Sequence, residues 1–335
     1  MELRELRYFL AVAQELNITK AAEYLYISQP SLSKQMQNLE KEVGKPLFVR
    51  SNRRITLTET GMLLKKRAEE ILSLYEKTEA ELSAPPDDIA GEVLIGGGES
   101  WAVRTVARAA CAMQRQYPAV RFQFYSGDAD AVIEKLEKGL IDFGIVVDLP
   151  DLKKYNSMRL PDADRWGVLM RRDSPLAQND AVTAEELRAL PLLCSMQSMQ
   201  KNSRLTEWLG GSSRGLRIVG QYNLLYNATL LVQSGMGYAI CLDNLVNTTG
   251  ESPLCFKPLD PPLYTHLDIV WKKYTAFSKP AQLFLDFLQR AIAEQTDTTE
   301  AKAGCRSEAK KCPPFAADPY KAQPDLLQSG KSKRF

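Results

Sequence analysis

The 335-residue chain is 44% hydrophobic and 25% charged, which is an ordinary composition for a soluble globular protein of two or three domains. No apolar run is long enough to span a bilayer and the charged N-terminal stretch does not resemble a signal peptide, so we expect a cytoplasmic protein without a membrane partner. The six cysteines form no C-x-x-C pair, which argues for reduced thiols and against a metal site.

The N-terminal part predicts a helix-turn-helix. Residues 18–44, ITKAAEYLYISQPSLSKQMQNLEKEVG, read as two short helices joined by a tight turn, and residues 3–16 predict a supporting helix before them. Ser28 is placed to cap the second helix of the pair, with Pro30 in its first turn and Gly44 at its end.

The second helix has a polar face opposite its apolar one. Its members are Gln29, Ser31, Ser33, Lys34, Gln37 and Asn38. Amides and hydroxyls can pair with base edges in a major groove, and Lys34 can reach a base or a phosphate. For a helix taken alone, a face that is merely solvated is the alternative.

Two further observations favour DNA. Residues 47–50 and 53–57 predict a hairpin with Arg53 and Arg54 near its tip, suited to backbone or minor-groove contact. Residues 1–67 hold 12 basic and 7 acidic residues, a net of +5, whereas the remainder of the chain has a net of −3. The basic excess therefore lies on the predicted helix-turn-helix.

Residues 1–67 resemble the winged helix-turn-helix domain of LysR-type transcriptional regulators. The resemblance is carried by the ordered run SQPSLSKQMQNLEKEVG, followed by LFVR and LTETG. It implies a recognition helix in the major groove and a wing arginine along the minor groove. The positions that it assigns to DNA contact are Gln29, Pro30, Ser33, Lys34 and Arg53, to which we add the neighbouring Ser31 and Arg54. Lys34 stands where many relatives have arginine, which weakens the case for bidentate guanine reading.

A long helix is predicted next. Thr58 is placed to cap it, and it runs to about residue 83, which spans roughly 37 Å at ~1.5 Å per residue. A heptad-like seam recurs along it: Leu64, Ala68, Ile71, Tyr75, Thr78 and Leu82. This seam predicts a dimerising helix, as the resemblance also implies, and a helix that lies on its own domain is the alternative. Residues 84–88, APPDD, predict a hinge.

From residue 91 onward, strands and helices alternate, which predicts an α/β fold with parallel sheets. The family resemblance implies two Rossmann-like lobes, similar to periplasmic binding proteins, with the chain crossing between them near residues 161–165 and returning near 263–266. We divide the chain accordingly: 1–58 winged helix-turn-helix, 59–88 linker helix and hinge, 89–162 with 266–294 lobe I, 163–265 lobe II, and 295–335 a tail expected to be disordered.

The run Gly96-Gly97-Gly98-Glu99-Ser100-Trp101 is the best signal for a small ligand. Backbone N–H groups at a helix start attract anions, and glycines allow close approach. Family position makes Ser100 the expected effector contact. The predicted effector residues are Gly98, Ser100, Ser126, Ser195, Met196 and Met199. Together they suit a small organic anion, and their weak charge leaves a neutral ligand open. The alternatives are a glycine turn that only packs and methionines that belong to a core.

Catalysis is poorly supported, and no cofactor is expected. A dinucleotide fingerprint would need glycine where Trp101 stands, and neither a P-loop nor G-x-S-x-G is present. The sequence therefore predicts a transcriptional regulator that binds double-stranded operator DNA and a small-molecule effector as a homodimer or homotetramer. Two alternatives stay open: an enzyme or solute-binding protein on a two-lobe fold, and a constitutive DNA-binding protein with a vestigial cleft.

Overall fold

The structure is a computed structural model. It describes residues 1–50, 55–83, 89–147, 154–199, 203–212 and 214–305. Arg53 and Arg54 of the predicted wing, the predicted hinge at 84–88 and the tail from 306 onward lie outside the described residues.

The N-terminal part contains the predicted helices. They are α1 (Leu3–Glu15), α2 (Ile18–Tyr24) and α3 (Gln29–Val43). The Asn17 side chain accepts the N–H groups of Thr19 and Lys20 and so caps α2. The Ser28 hydroxyl accepts a backbone N–H of α3, and Gly44 ends that helix with φ +72°. The predicted caps of α3 are confirmed, because local side-chain chemistry determines both ends.

A short antiparallel hairpin follows, formed by β1 (Phe48–Arg50) and β2 (Ile55–Leu57). Helix α4 (Glu59–Ser83) begins directly after it, and the Thr58 hydroxyl accepts the Gly61 N–H at 2.9 Å. The hairpin and the cap at the start of the long helix are thus confirmed.

The predicted seam on α4 is wrong at its first two positions. Ala68 is buried and Leu64 is half-buried, and both pack with Leu72 against the core of the helix-turn-helix. The physical reason is that the first turns of α4 cover the apolar side of α1. The later seam positions Ile71 and Leu82 are exposed and remain available to a partner helix.

Lobe I begins with the predicted alternation of strands and helices. Its elements are β3 (Gly91–Gly97), α5 (Val103–Gln116), β4 (Val120–Ser126), α6 (Ala129–Glu137) and β5 (Phe143–Val147). Strand β3 lies between β4 and β5 and pairs with both in parallel. The core on one side of this sheet is built around Val106, Met113 and Phe143.

The chain then enters lobe II along one long strand and returns along another. The elements in order are β6 (Tyr155–Arg171), β7 (Val182–Thr183), α7 (Ala184–Arg188), β8 (Pro191–Ser195), α8 (Arg204–Trp208), β9 (Arg217–Tyr222), α9 (Leu225–Gln233), β10 (Tyr238–Leu242), β11 (Leu254–Asp260), β12 (Tyr264–Lys272) and α10 (Lys279–Cys305).

Strands β6 and β12 run antiparallel and connect the two lobes. The pairing begins at Lys272 with Tyr155 and continues to Tyr264 with Arg165. On the lobe I side β12 pairs with β5, and on the lobe II side β6 pairs with β10 and β11. We call residues 162–166 of β6 and 264–266 of β12 the crossover.

Two features go beyond the sequence expectations. Strand β6 begins at Tyr155, before the predicted crossing near residues 161–165. Helix α10 continues to Cys305, past the point at which a disordered tail was expected to start.

Candidate functional site

Helix α3 has one buried face and one exposed face. Leu32, Met36 and Leu39 are fully buried in the N-terminal core. Of the residues predicted to contact DNA, Gln29, Pro30, Ser31 and Lys34 are exposed and Ser33 is half-buried. The buried face fixes the helix, so its polar face is presented outward on a rigid support.

Helix α3 also positions the hairpin. The Glu40 carboxylate accepts the backbone N–H groups of Leu47 and Phe48 at 2.8 and 3.1 Å. Because Phe48 is the first residue of β1, this contact ties the hairpin to α3. The described part of the wing therefore has a fixed position relative to α3.

Helix α4 is anchored on lobe I by a largely buried ion pair. Lys77 Nζ lies 2.6 Å from Asp142 Oδ1, with the two side chains 21% and 5% exposed. The second oxygen of Asp142 accepts the Leu94 N–H at 2.8 Å, and Lys77 also donates to the Gly139 carbonyl. Both oxygens of this buried carboxylate are thus paired.

A more exposed network extends this contact. Lys138 pairs with Glu70 of α4 at 2.7 Å and with Glu134 of α6, and Lys66 of α4 pairs with Glu134 at 3.1 Å. Lys138, followed by Lys66, lowers the pKa of Glu134 to about 2. We call these pairs, together with Lys77–Asp142, the α4 joint.

The predicted effector residues of lobe I lie together at one edge of its sheet. Gly97 pairs with Ser126 in the register of β3 and β4, and the Gly127 N–H donates to the Gly97 carbonyl. Gly98 and Ser126 are exposed, whereas Ser100 is half-buried and its hydroxyl accepts the Ala102 N–H at 3.0 Å.

The predicted residues of lobe II divide between surface and core. Ser195, at the end of β8, accepts the Ser198 N–H through its hydroxyl, and Met196 is 51% exposed. Met199 instead packs half-buried against the core of lobe II. This packing fits the alternative of a core methionine, and a contact of Met199 with a ligand stays a prediction.

The glycine-rich turn of lobe I touches lobe II directly. The Glu99 carboxylate accepts the Leu225 N–H at 2.5 Å, at the start of α9. That helix start has no cap from its own N-cap side chain, so Glu99 supplies the acceptor from the other lobe. Carboxylates at helix N-termini are favourable because unpaired N–H groups point at them.

Sequence reasoning missed the polar residues of the crossover. Arg104 of α5 donates to Asp162 through two nitrogens, one of them at 2.8 Å, and its guanidinium lies 5.2 Å from the centre of the Trp101 ring. Asp164, two residues further along β6, is only 2% exposed. The signal available in the sequence was their i, i+2 spacing, which places both carboxyls on one face of a strand.

Metal chemistry has no support in the described part of the chain, where no group of His, Cys, Asp or Glu side chains is arranged to hold an ion. Nor is any described helix long and apolar enough to cross a membrane.

Comparison with known families agrees with this architecture. A family model described as a bacterial regulatory helix-turn-helix protein of the lysR family matches residues 3–62, and one described as the LysR substrate binding domain matches residues 86–293. The chain belongs to the LysR family. It is thus a LysR-type transcriptional regulator and not an enzyme, which confirms the predicted fold class and function.

Individual relatives match most of the LysR-type chain. A probable RuBisCO transcriptional regulator of Phaeodactylum tricornutum is 30% identical over 246 residues, which cover 71% of this chain and 79% of that protein. The regulator BsdA of Bacillus subtilis is 26% identical over 299 residues, which cover 85% of this chain and 99% of that protein. The crystal structure of CbnR, a LysR family transcriptional regulator, shares the fold with a TM-score of 0.68 at 20% identity. The match covers 87% of this chain and 99% of CbnR.

Proposed function

We propose that this LysR-type regulator binds operator DNA through Gln29, Pro30, Ser31, Ser33 and Lys34 of α3, with Arg53 and Arg54 contacting the DNA from the wing. The observation that carries the proposal is the division of α3 into a buried apolar face and an exposed polar face. A related structure, that of CbnR in complex with its target DNA, has a TM-score of 0.67. We keep the domain boundaries proposed from the sequence. Helix α10 extends beyond residue 294, where lobe I was expected to end.

The two-lobe part is proposed to bind a small effector in the cleft between the lobes. Gly98, Ser100 and Ser126 would contact it from lobe I, and Ser195 and Met196 from lobe II. The contact of Glu99 with the Leu225 N–H supports this proposal, because it brings the glycine-rich turn against the other lobe. Clefts of this kind respond to a ligand by changing the angle between lobes.

The exposed half of α4 is the proposed dimer contact. Ile71, Leu74 and Leu82 are 40%, 45% and 82% exposed, which is unusual for large apolar side chains on one helix. A homodimer through this surface, or a homotetramer built from two, would place two copies of α3 on a dyad-symmetric operator. Such a regulator acts on DNA in the cytoplasm.

The α4 joint gives a physical route from effector to DNA. Since α4 is fixed both to the N-terminal core and to lobe I, a rotation of lobe I would move the helix-turn-helix with it. An effector can shift this equilibrium only by its difference in affinity for the two arrangements.

The DNA contact is tested by Lys34→Ala on an operator recovered by sequencing the DNA that copurifies with the protein. Loss of a base contact should weaken binding by about 1–3 kcal/mol, at certain operator positions only. Lys41→Ala, an equally exposed lysine two turns later on α3, is the matched control and should have less effect. Equal binding by the Lys34 variant and the wild type would remove Lys34 from the proposed interface.

A further inference from the structure

The crossover concentrates unsatisfied polar groups. Among the described residues, the buried side-chain nitrogen and oxygen atoms without a hydrogen-bond partner all lie there: both carboxyl oxygens of Asp164, Arg165 Nε, Trp166 Nε1 and Thr265 Oγ1. Buried polar groups in native proteins are nearly always paired, so each exception calls for an explanation. A cluster of them at one place indicates a missing partner.

Asp164 and Thr265 are adjacent members of this cluster. They are 2% and 1% exposed and face each other as partners in the pairing of β6 with β12. Burial raises the pKa of Asp164, whereas the nearby Ser100 hydroxyl and the N–H groups of Ala102 and Trp101 act in the opposite direction. None of these three reaches hydrogen-bond geometry with Asp164, and the Ala102 N–H is already donated to Ser100.

Arg165 Nε and Trp166 Nε1 are donors without a partner, but two other groups that could attract an anion in this region are already engaged. Arg104 is paired with both oxygens of Asp162, and the helix start of α9 is occupied by Glu99. Arg165 follows Asp164 on β6, so strand alternation directs it to the opposite face. An incoming organic acid would therefore meet the carboxyl groups of Glu99, Asp162 and Asp164 near Ser100.

We infer that the effector presents a protonated amine or a similar N–H donor to Asp164 and Thr265 at the crossover, an inference that rests on the proposed sensing function. The donor would complete the hydrogen bonds that both residues lack, and the positive charge would offset the acidic surroundings. This replaces the small organic anion that the glycine-rich turn alone suggested. The lobes must part to admit the ligand, because the Asp164 oxygens are sealed from solvent in this arrangement.

The test compares three probes of similar size and different charge on the full-length chain: benzylamine, benzoate and benzyl alcohol. Benzylamine at ~10 times its Kd should raise the Tm by about 2–4 °C, and by more than either of the other two. Asp164→Asn should weaken benzylamine binding about tenfold or more, and Thr265→Val should weaken it less. Asp286→Asn is the control, since it removes the same charge from an exposed site on α10.

Two results would overturn the inference. If benzoate stabilises the chain at least as well as benzylamine, the cleft takes acids and the sensing function stands without this ligand class. If no probe stabilises it, or if Asp286→Asn reduces benzylamine binding as much as Asp164→Asn, the crossover is not the amine site. A separate experiment tests the proposed sensing function. A broad metabolite screen on the wild-type chain that gives no ligand would rule that function out.

Discussion

The two connections made by lobe I differ in how their buried charges are satisfied. At the α4 joint, Asp142 is buried, yet one oxygen pairs with Lys77 and the other accepts the Leu94 N–H. At the crossover, Asp164 is also buried, and neither oxygen has a hydrogen-bond partner among the residues that the structure describes. The same side-chain type therefore stabilises one connection and leaves the other incomplete.

This difference assigns different roles to the two connections. A buried ion pair with all its hydrogen bonds made resists distortion, because breaking it exposes an uncompensated charge to the interior. An unpaired buried carboxyl costs free energy that a ligand can recover. The α4 joint thus behaves as a rigid coupling, and the crossover is the place where a bound molecule can change the equilibrium between lobe arrangements.

The largest expected effect comes from breaking the α4 joint. Lys77→Met should lower the free energy of unfolding by about 3 kcal/mol, because Asp142 would keep a buried charge without its cation. Urea-induced unfolding measures this change. Lys65→Met removes a lysine from the same helix whose partner Glu69 lies 4.0 Å away at an exposed site, and it should cost below about 0.5 kcal/mol. Equal losses in the two variants would mean that the joint is no stronger than an exposed pair.

A smaller effect of opposite sign is expected at the crossover. Asp164→Asn should raise the free energy of unfolding at neutral pH by about 1–2 kcal/mol, because it removes a buried carboxyl without a partner. Asp162→Asn, on the same face of β6, should instead lower it by about 1–2 kcal/mol, since it breaks the paired contact with Arg104.

The effect of Asp164→Asn on stability depends on pH, because the pKa of Asp164 is raised in the folded chain. Below the ordinary carboxyl value of 3.8 the group is protonated in both the folded and unfolded chain, so its burial carries no charge cost. The cost develops as the pH rises through the raised pKa of the folded state. The gain in the free energy of unfolding from Asp164→Asn should therefore become smaller as the pH is lowered. Urea-induced unfolding at several pH values measures this change. A destabilised Asp164→Asn variant would show that this carboxyl is paired in the folded chain.

Local signals in the sequence predicted much of the fold. The caps at Ser28, Thr58 and Gly44 were predictable because each depends on residues within a few positions. The family resemblance added the two lobes and their crossing near residues 161–165, which strands β6 and β12 provide.

The candidate site was less predictable because tertiary contacts decide it. Lys77 and Asp142 are 65 positions apart, and Arg104 and Asp162 are 58 apart, so no periodicity connects them. Met199 was predicted to contact a ligand, yet its side chain packs half-buried against the core of lobe II. The i, i+2 spacing of Asp162 and Asp164 was the one local sign of the crossover, and its meaning depends on which side chains face the two carboxyls.

Amide hydrogen–deuterium exchange of the full-length chain, with and without saturating benzylamine, tests most directly whether a ligand acts at the crossover while the α4 joint stays fixed. We expect slower exchange in peptides that cover residues 162–166 and 264–266 and the start of α9, with unchanged exchange in peptides that cover residues 74–82 and 139–142. Slower exchange at the α4 joint, with no change at the crossover, would place the effect of the ligand at the joint and rule out an amine site at the crossover.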